Sequence, residues 1–270
     1  MDIKVINDIV WYIPFKKLRN AVREYLIIKY NKLEDFNNKL TNISNKVENI
    51  DNHNKMKQEN LFYNLWKYSL DETVEYLQEK AINSKWFNAK NDMYDYIFNE
   101  YIKKDENYKE KLFLEFGVYY GSSINYFSSQ LNDVTFYGFD AFEGLVEDSG
   151  IWNKNDFSTH GHIPQVNNNV LLEVGYFCDT LPTFFKKHKE KIAFMHIDSD
   201  TYSAAVDIFN NIVNNVDIGT IIVFDEYFNY PAWKFNEYKA FQDFCNTNNI
   251  EYKYLAITNN QAAIRIEKIN

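Results

Sequence analysis

The sequence predicts an α/β fold in two parts. A helical N-terminal region spans residues 1–110, and a mostly parallel, doubly wound sheet ending in an antiparallel hairpin spans residues 111–270. Three observations predict it. Residues 15–116 contain neither Gly nor Pro, so no breaker interrupts helix over that stretch. From residue 111 onward, short apolar runs alternate with amphipathic segments, the pattern of strands joined by right-handed helical crossovers. The last two apolar runs are separated only by Thr258-Asn259-Asn260-Gln261, too short for a helical crossover, so they must run antiparallel.

The expected strands are 111–116, 134–139, 170–176, 191–197, 219–225, 251–257 and 262–267. The expected helices between them are 122–131, 180–189, 202–215 and 235–248. Upstream, Leu33, Phe36, Leu40, Ile43, Val47 and Ile50 recur at spacings of 3 and 4, an a/d heptad pattern. Leu26 extends it backwards, Lys29 breaks it, and Asn54 and Lys57 end it. A short coiled coil over 26–54 and an amphipathic helix packed on its own domain are both consistent with this. The coiled coil implies a homo-oligomer. Residues 9–28 combine Trp11, Tyr12, Ile13 and Phe15 with Lys16, Lys17, Arg19 and Arg23, as a basic amphipathic helix would. Peripheral membrane contact through 9–28 is one reading, and ordinary helix packing is the other.

Composition narrows the function. The 270 residues carry a formal charge of −9, which argues against a general nucleic-acid binder. The two cysteines, Cys178 and Cys245, form no Cys-x-x-Cys pair, so neither a zinc site nor a disulfide framework is expected. No apolar run reaches the roughly 20 residues of a membrane span. No signal-peptide pattern is present, so a cytoplasmic location is expected.

Four strand-terminal motifs carry the chemistry. The first, Glu115-Phe116-Gly117-Val118-Tyr119-Tyr120-Gly121, leads into Ser122 at an expected helix start. Strand, glycine turn and helix in that order form a crevice where a ligand can approach the backbone. Glu115 disfavours a phosphate there and favours a ligand with donors or positive charge, such as the ammonium and sulfonium of S-adenosylmethionine. The second is Tyr137-Gly138-Phe139-Asp140-Ala141-Phe142, whose acid lies where doubly wound sheets bind ribose hydroxyls. An acid capping the following turn is the competing reading of Asp140. The third is His196-Ile197-Asp198-Ser199-Asp200-Thr201-Tyr202, and the fourth is Val223-Phe224-Asp225-Glu226-Tyr227. Both acidic clusters end strands, so both face one crevice. A divalent cation would neutralise them, with all-oxygen donors suiting Mg²⁺ first and Mn²⁺ or Fe²⁺ as alternatives.

From about Leu112 to the C-terminus these stretches resemble the macrocin O-methyltransferase family of S-adenosylmethionine-dependent enzymes. The carrying motifs are Glu115-Phe-Gly-Val with Gly121, Tyr137 to Leu145, His196 to Tyr202, and Val223 to Pro231. The resemblance implies a class I methyltransferase fold, in which a parallel Rossmann-like sheet ends in an antiparallel hairpin. It implies that Asp198, Asp225 and Glu226 hold a metal and that Asp200 is the general base. It places Glu115, Gly117 and Asp140 at the cofactor, with the neighbouring Val118, Tyr119, Gly121, Ser122, Ala141, Phe142 and Asp198, and with Asp179 near the adenine. Many relatives carry Asp or Asn where this chain has the longer Glu226. The implied reaction is O-methylation of a sugar, as a nucleotide-activated sugar for a surface polysaccharide.

The connection Asp148–Gln165 holds His160 and His162, either of which could contact substrate, serve as base in place of Asp200, or be a surface loop histidine with no role. His196 alternates onto the same strand face as Asp198 and reads either as a buried core histidine or as a support to a ligand. Two other functions fit parts of the sequence. A nicotinamide-dependent sugar oxidoreductase would need a third loop glycine, which is missing, and its Tyr-x-x-x-Lys occurs only at Tyr63–Lys67, upstream of the sheet. A catalytically inert methyltransferase-like adaptor would have eroded Asp198, Asp225, Glu115 or Asp140, all of which are present.

Overall fold

The computed structural model divides into two compact units, Met1–Asn64 and Leu65–Asn270. It describes residues 3–270. The first two residues of the expected N-terminal region lie outside the described residues. So do the side chains at 53, 54, 56 and 58, including Asn54, where the heptad pattern ends.

The first unit holds α1 (Ile3–Trp11) and α2 (Lys16–Glu59). The basic helix expected over 9–28 is therefore two helices. Pro14 lacks an N–H and disfavours helical backbone at the residue before it, which breaks the chain there. Arg19 of α2 repairs the break, its Nε and Nη2 donating to the Ile13 carbonyl at 2.9 and 2.7 Å. Ile6 and Val10 of α1 are buried, and α1 packs on α2. Among the described residues no helix is long and apolar enough to cross a membrane.

The second unit is built on one eight-stranded sheet. Its strands are β1 (Lys85–Trp86), β2 (Leu112–Phe116), β3 (Phe136–Asp140), β4 (Val170–Val174), β5 (Ile192–Ile197), β6 (Ile221–Phe224), β7 (Ile250–Ile257) and β8 (Ala262–Ile269), in the order β1-β7-β8-β6-β5-β2-β3-β4. Pairs β2/β3, β2/β5, β3/β4 and β5/β6 are parallel, while β8 is antiparallel to both β6 and β7. The mostly parallel sheet and its C-terminal hairpin match the fold expected from the sequence. The remaining α-helices are α3 (Leu61–Lys80), α4 (Lys90–Ile97), α5 (Ser122–Gln130), α6 (Phe177–Lys187), α7 (Tyr202–Ile212) and α8 (Glu237–Asn248).

Side chains alternate along β2. Leu112, Leu114 and Phe116 join one core cluster with Leu181, Ile208, Phe209 and Phe241, whereas Phe113 joins a second with Ile97, Ile124 and Phe127. Helices thus cover both faces, which is why the strands read as continuous apolar runs.

The second compact unit begins at Leu65. Leu77 of α3 and Met93, Ile97 and Phe98 after it are buried, and β1 adds an edge strand parallel to β7. Two residues are too short to carry a periodicity, so β1 has no signature in the sequence.

Candidate active site

In the sheet order β2 and β5 are neighbours, and the chain leaves β2 towards β3 on one side but leaves β5 towards β6 on the other. A crevice forms at such a switch point in open α/β sheets. The Asp198 amide donates to Phe116 O (2.8 Å), the Asp225 amide to Ile197 O (3.0 Å) and the Gly117 amide to Phe139 O (2.9 Å), joining neighbouring tips. Gly117 has φ +91°, and a Cβ there would lie 1.9 Å from Asp198 O. Glycine is required on both counts.

A cavity of about 530 Å³ opens at these tips. That falls within the roughly 300–1,000 Å³ of small-molecule sites. Carboxylates line it from four places, Asp140, Asp198 with Asp200, Asp207, and Asp225 with Glu226. Tyr119, Phe157, Tyr176 and Phe177 add aromatic surface. Acid and aromatic walls beside a glycine backbone fit a flat, cationic ligand such as S-adenosylmethionine.

Asp140 ends β3 and holds the glycine loop. Its Oδ2 accepts from the amides of Val118 and Tyr119, both at 2.8 Å, and its Oδ1 accepts from Phe142 N at 2.7 Å. Both lone pairs of Oδ2 are thus filled, so only Oδ1 has capacity left for a ligand hydroxyl. The turn-capping reading of Asp140 describes these contacts.

Asp200 sits between β5 and α7 with φ 59°, a left-handed conformation that costs a residue with a Cβ. Glu237, the first residue of α8, holds it there. Its Oε1 accepts from Ser199 N (2.6 Å), Ser199 Oγ (2.9 Å) and Asp200 N (3.1 Å), while Oε2 is buried without a partner. Ser149 Oγ donates to Asp200 O at 2.8 Å. Thr201 then caps α7, accepting from Ala204 N at 3.3 Å. Burial pushes the Glu237 carboxyl up to about 8, beyond what its hydrogen bonds to Ser199 recover. Burial, then the charges of Glu237, Glu226 and Asp225, raise Asp200 well above the usual carboxylate range. Asp198 is raised similarly, by burial and then by Asp225 and Asp200.

A buried charged line runs behind the cavity. Glu115 and His196 are paired in register on β2 and β5, and His196 Nδ1 meets Glu115 Oε1 at 2.8 Å. His196 Nε2 lies 3.7 Å from Asp225 Oδ1, too long for a hydrogen bond, and is otherwise unpartnered. The attraction there is between charges. Burial opposes protonation of His196, but Asp225 and Glu115 outweigh it and push the imidazole up to about 10. Burial would raise Asp225, yet His196, Lys90 and Tyr94 hold it below the usual range. Lys90 Nζ, at the start of α4, reaches Asp225 at 3.1 and 3.3 Å, and Tyr94 OH donates to Oδ1 at 2.9 Å.

Asp198, Asp225 and Glu226 do line one cavity, but they do not fit a metal ion as they stand. Among the described residues no group of three or more His, Cys, Asp or Glu could hold one. Asp225 already takes an ammonium and a phenol hydroxyl.

Other expected residues lie elsewhere. His160 and His162 are exposed and off the cavity wall, in a stretch turned on itself by Thr159, whose Oγ1 donates to His162 O at 2.8 Å. Glu115 is 1 % exposed and engaged with His196 rather than facing the cavity. Val118 and Phe142 are buried, contributing their amides to Asp140; Gly121 and Ser122 begin α5, and Asp179 is exposed on α6. None of these five lines the cavity, whereas Gly117, Tyr119, Asp140, Ala141 and Asp198 do.

Sequence reasoning missed Glu237, Lys90 and Tyr94. Glu237 reads as an ordinary acid in a helix's first turn. Lys90 and Tyr94 lie upstream of the stretch that carries the family resemblance.

Residues 114–227 match the family model of a methyltransferase domain. No curated protein matches the chain. Among solved structures the chain is similar to the O-methyltransferase NovP, at 18 % identity and TM-score 0.46 over 60 % of this chain and 74 % of that one. It is also similar to CalS11, a TDP-rhamnose 3'-O-methyltransferase, at 19 % identity and TM-score 0.47 over 65 % and 78 %. An O-methyltransferase from Bacillus cereus is similar at 16 % identity and TM-score 0.39 over 58 % and 74 %. The matched residues include the ends of β2, β3, β5 and β6 that form the cavity.

Proposed function

We propose that this protein is a methyltransferase that moves a methyl group from S-adenosylmethionine to a sugar hydroxyl, with Asp200 as general base, and that it belongs with the macrocin O-methyltransferases. The observation that carries the reading is the placement of Asp200 and Gly117 on one cavity wall. A proton acceptor and a backbone crevice for the donor then face the same space.

S-adenosylmethionine, when bound, supplies an electrophilic methyl on a sulfonium. Asp140, Asp198 and Asp207 give its positive charges a negative wall, and Tyr176 and Phe177 offer faces for its adenine. A sugar hydroxyl is a weak nucleophile because its pKa is far above neutrality. Asp200 accepts its proton as the new O–CH₃ bond forms, while S-adenosylhomocysteine departs with the electrons of the S–CH₃ bond. Burial and neighbouring carboxylates strengthen Asp200 as a base by raising its proton affinity. Glu237 keeps the base aimed by fixing the Ser199-Asp200 backbone.

The acceptor class we favour is a nucleotide-activated sugar destined for a surface polysaccharide. Mass spectrometry of nucleotide sugars incubated with the protein and S-adenosylmethionine tests it. A gain of one methyl, absent with Asp200→Asn, supports the reading; no methylated sugar across the panel overturns it. The same assay with a chelator tests the metal expectation. Turnover that survives fits the Lys90–Asp225 pair, and turnover lost on chelation and restored by Mg²⁺ shows that the carboxylates regroup around an ion.

A further inference from the structure

Every described residue of α2 from 31 to 59 is exposed. Among the described residues of its own unit, this half of the helix has nothing to pack on. Eight of those residues are Asn, a poor helix former, so local propensity does not support it either. A helix of this length and composition is marginal in water without a partner.

One stripe on it is apolar. Leu33, Phe36, Leu40, Ile43, Val47 and Ile50 are each between 48 % and 59 % exposed. Their 3-and-4 spacing averages 3.5 residues, shorter than the helical turn, so the stripe drifts and stays buried only if helices wind around one another left-handedly. A flat surface does not follow such a drift; a second helix with the same repeat does.

The flanking positions decide direction. Those on one side of the stripe are Lys32, Lys39 and Lys46; those on the other are Asn37, Ser44 and Asp51. An antiparallel pair would set the lysines of one copy against those of the next. A parallel arrangement sets Lys32 against Asn37, Lys39 against Ser44 and Lys46 against Asp51 of the neighbouring copy, with no like charges opposed. Lys39 also bonds Asp35 one turn back on its own helix (2.7 Å), which anchors that flank without a partner.

We propose that the stripe from Leu33 to Ile50 joins copies of this chain in a parallel coiled coil of three or four helices. Leu33, Leu40 and Val47 stand at one core position and Phe36, Ile43 and Ile50 at the other; Leu at the first with Ile at the second, the majority here, disfavours two-stranded packing. Self-association raises the local concentration of the attached methyltransferase domains and is independent of their acceptor.

Light scattering and sedimentation equilibrium of the full chain test this. The expected mass is three or four times that of one chain, and α2 should gain ellipticity with concentration as association rises. Ile43→Lys should weaken association about 100-fold or more, because it puts a charge in the packed stripe. Asn45→Lys, on the outer face, should leave the mass unchanged. Lys46→Glu and Asp51→Lys should each weaken association about fivefold, and the two together should restore it. A monomer at the highest soluble concentration overturns the proposal, as does a dimer for the number of helices. Tighter association on Lys46→Glu alone overturns the parallel direction. A monomer that floats with anionic vesicles would reassign the stripe to a lipid surface.

Discussion

Asp200 is held in left-handed backbone by Glu237, 37 positions further along the chain. Gln at 237 keeps the accepting oxygen; Ala removes it. Glu237→Ala should therefore lower kcat about 100-fold with little change in S-adenosylmethionine Kd, and Glu237→Gln should recover most of it. Equal losses in both variants would show that the carboxylate's charge, not its backbone contacts, matters. Asp200→Asn should abolish turnover while cofactor affinity, read by calorimetry, stays. Because Asp200 is raised, it keeps its proton to higher pH than a free carboxylate. The acid limb of kcat/KM should begin nearer neutrality than the ordinary Asp value of 3.8. Glu237 also sets a stability signature. Its folded value of about 8 exceeds the ordinary 4.5, so the folded state binds the extra proton between them. Stability should fall as pH rises through that window, and Glu237→Gln should flatten the decline in Tm.

At the level of elements, strand tips position the site and loops only connect them. Asp140 ties the glycine loop after β2 to the end of β3 through the amides of Val118 and Tyr119, and caps its own turn through that of Phe142. Asp140→Ala leaves those amides without their acceptor. It should cost about 2–4 kcal/mol of stability by denaturant titration and weaken S-adenosylmethionine binding as the loop loosens. Unchanged stability together with weaker binding would instead mark Asp140 as a ribose ligand alone. Gly117→Ala should be more severe, since the new Cβ meets Asp198 O in a backbone conformation reserved for glycine. The buried line Glu115–His196–Asp225 spans β2, β5 and β6. A charge anchored across three adjacent strands fixes their mutual register at the cavity floor.

For the molecule as a whole, charge balance is the open economy. The chain is acidic, and its cavity gathers carboxylates from β3, β5, β6 and α7 against few cations. Lys90 and His196 supply compensation at Asp225, and burial with the neighbouring Asp225 and Asp200 charges raises Asp198 above the usual carboxylate range. Lys90→Met should thus raise the proton affinity of Asp225 and make turnover more sensitive to low pH. If the variant instead becomes dependent on a divalent ion, Lys90 is standing where an ion can bind.

The fold of residues 111–270 is legible in the sequence because apolar periodicity and connection length are local quantities. Strand tips ending in Asp140, Asp198 and Asp225 are legible for the same reason, and a parallel sheet places all such tips at one end. The heptad stripe on α2 is likewise written in spacing alone. What local pattern does not contain is which oxygen of a carboxylate is already taken. Only the folded chain assigns Glu115 to His196, Asp140 to loop amides and Asp225 to Lys90 and Tyr94, and only it leaves His160 and His162 outside the cavity. Hydrogen bonds reach about 3 Å and are set by tertiary packing, so their partners lie at sequence separations that no motif records.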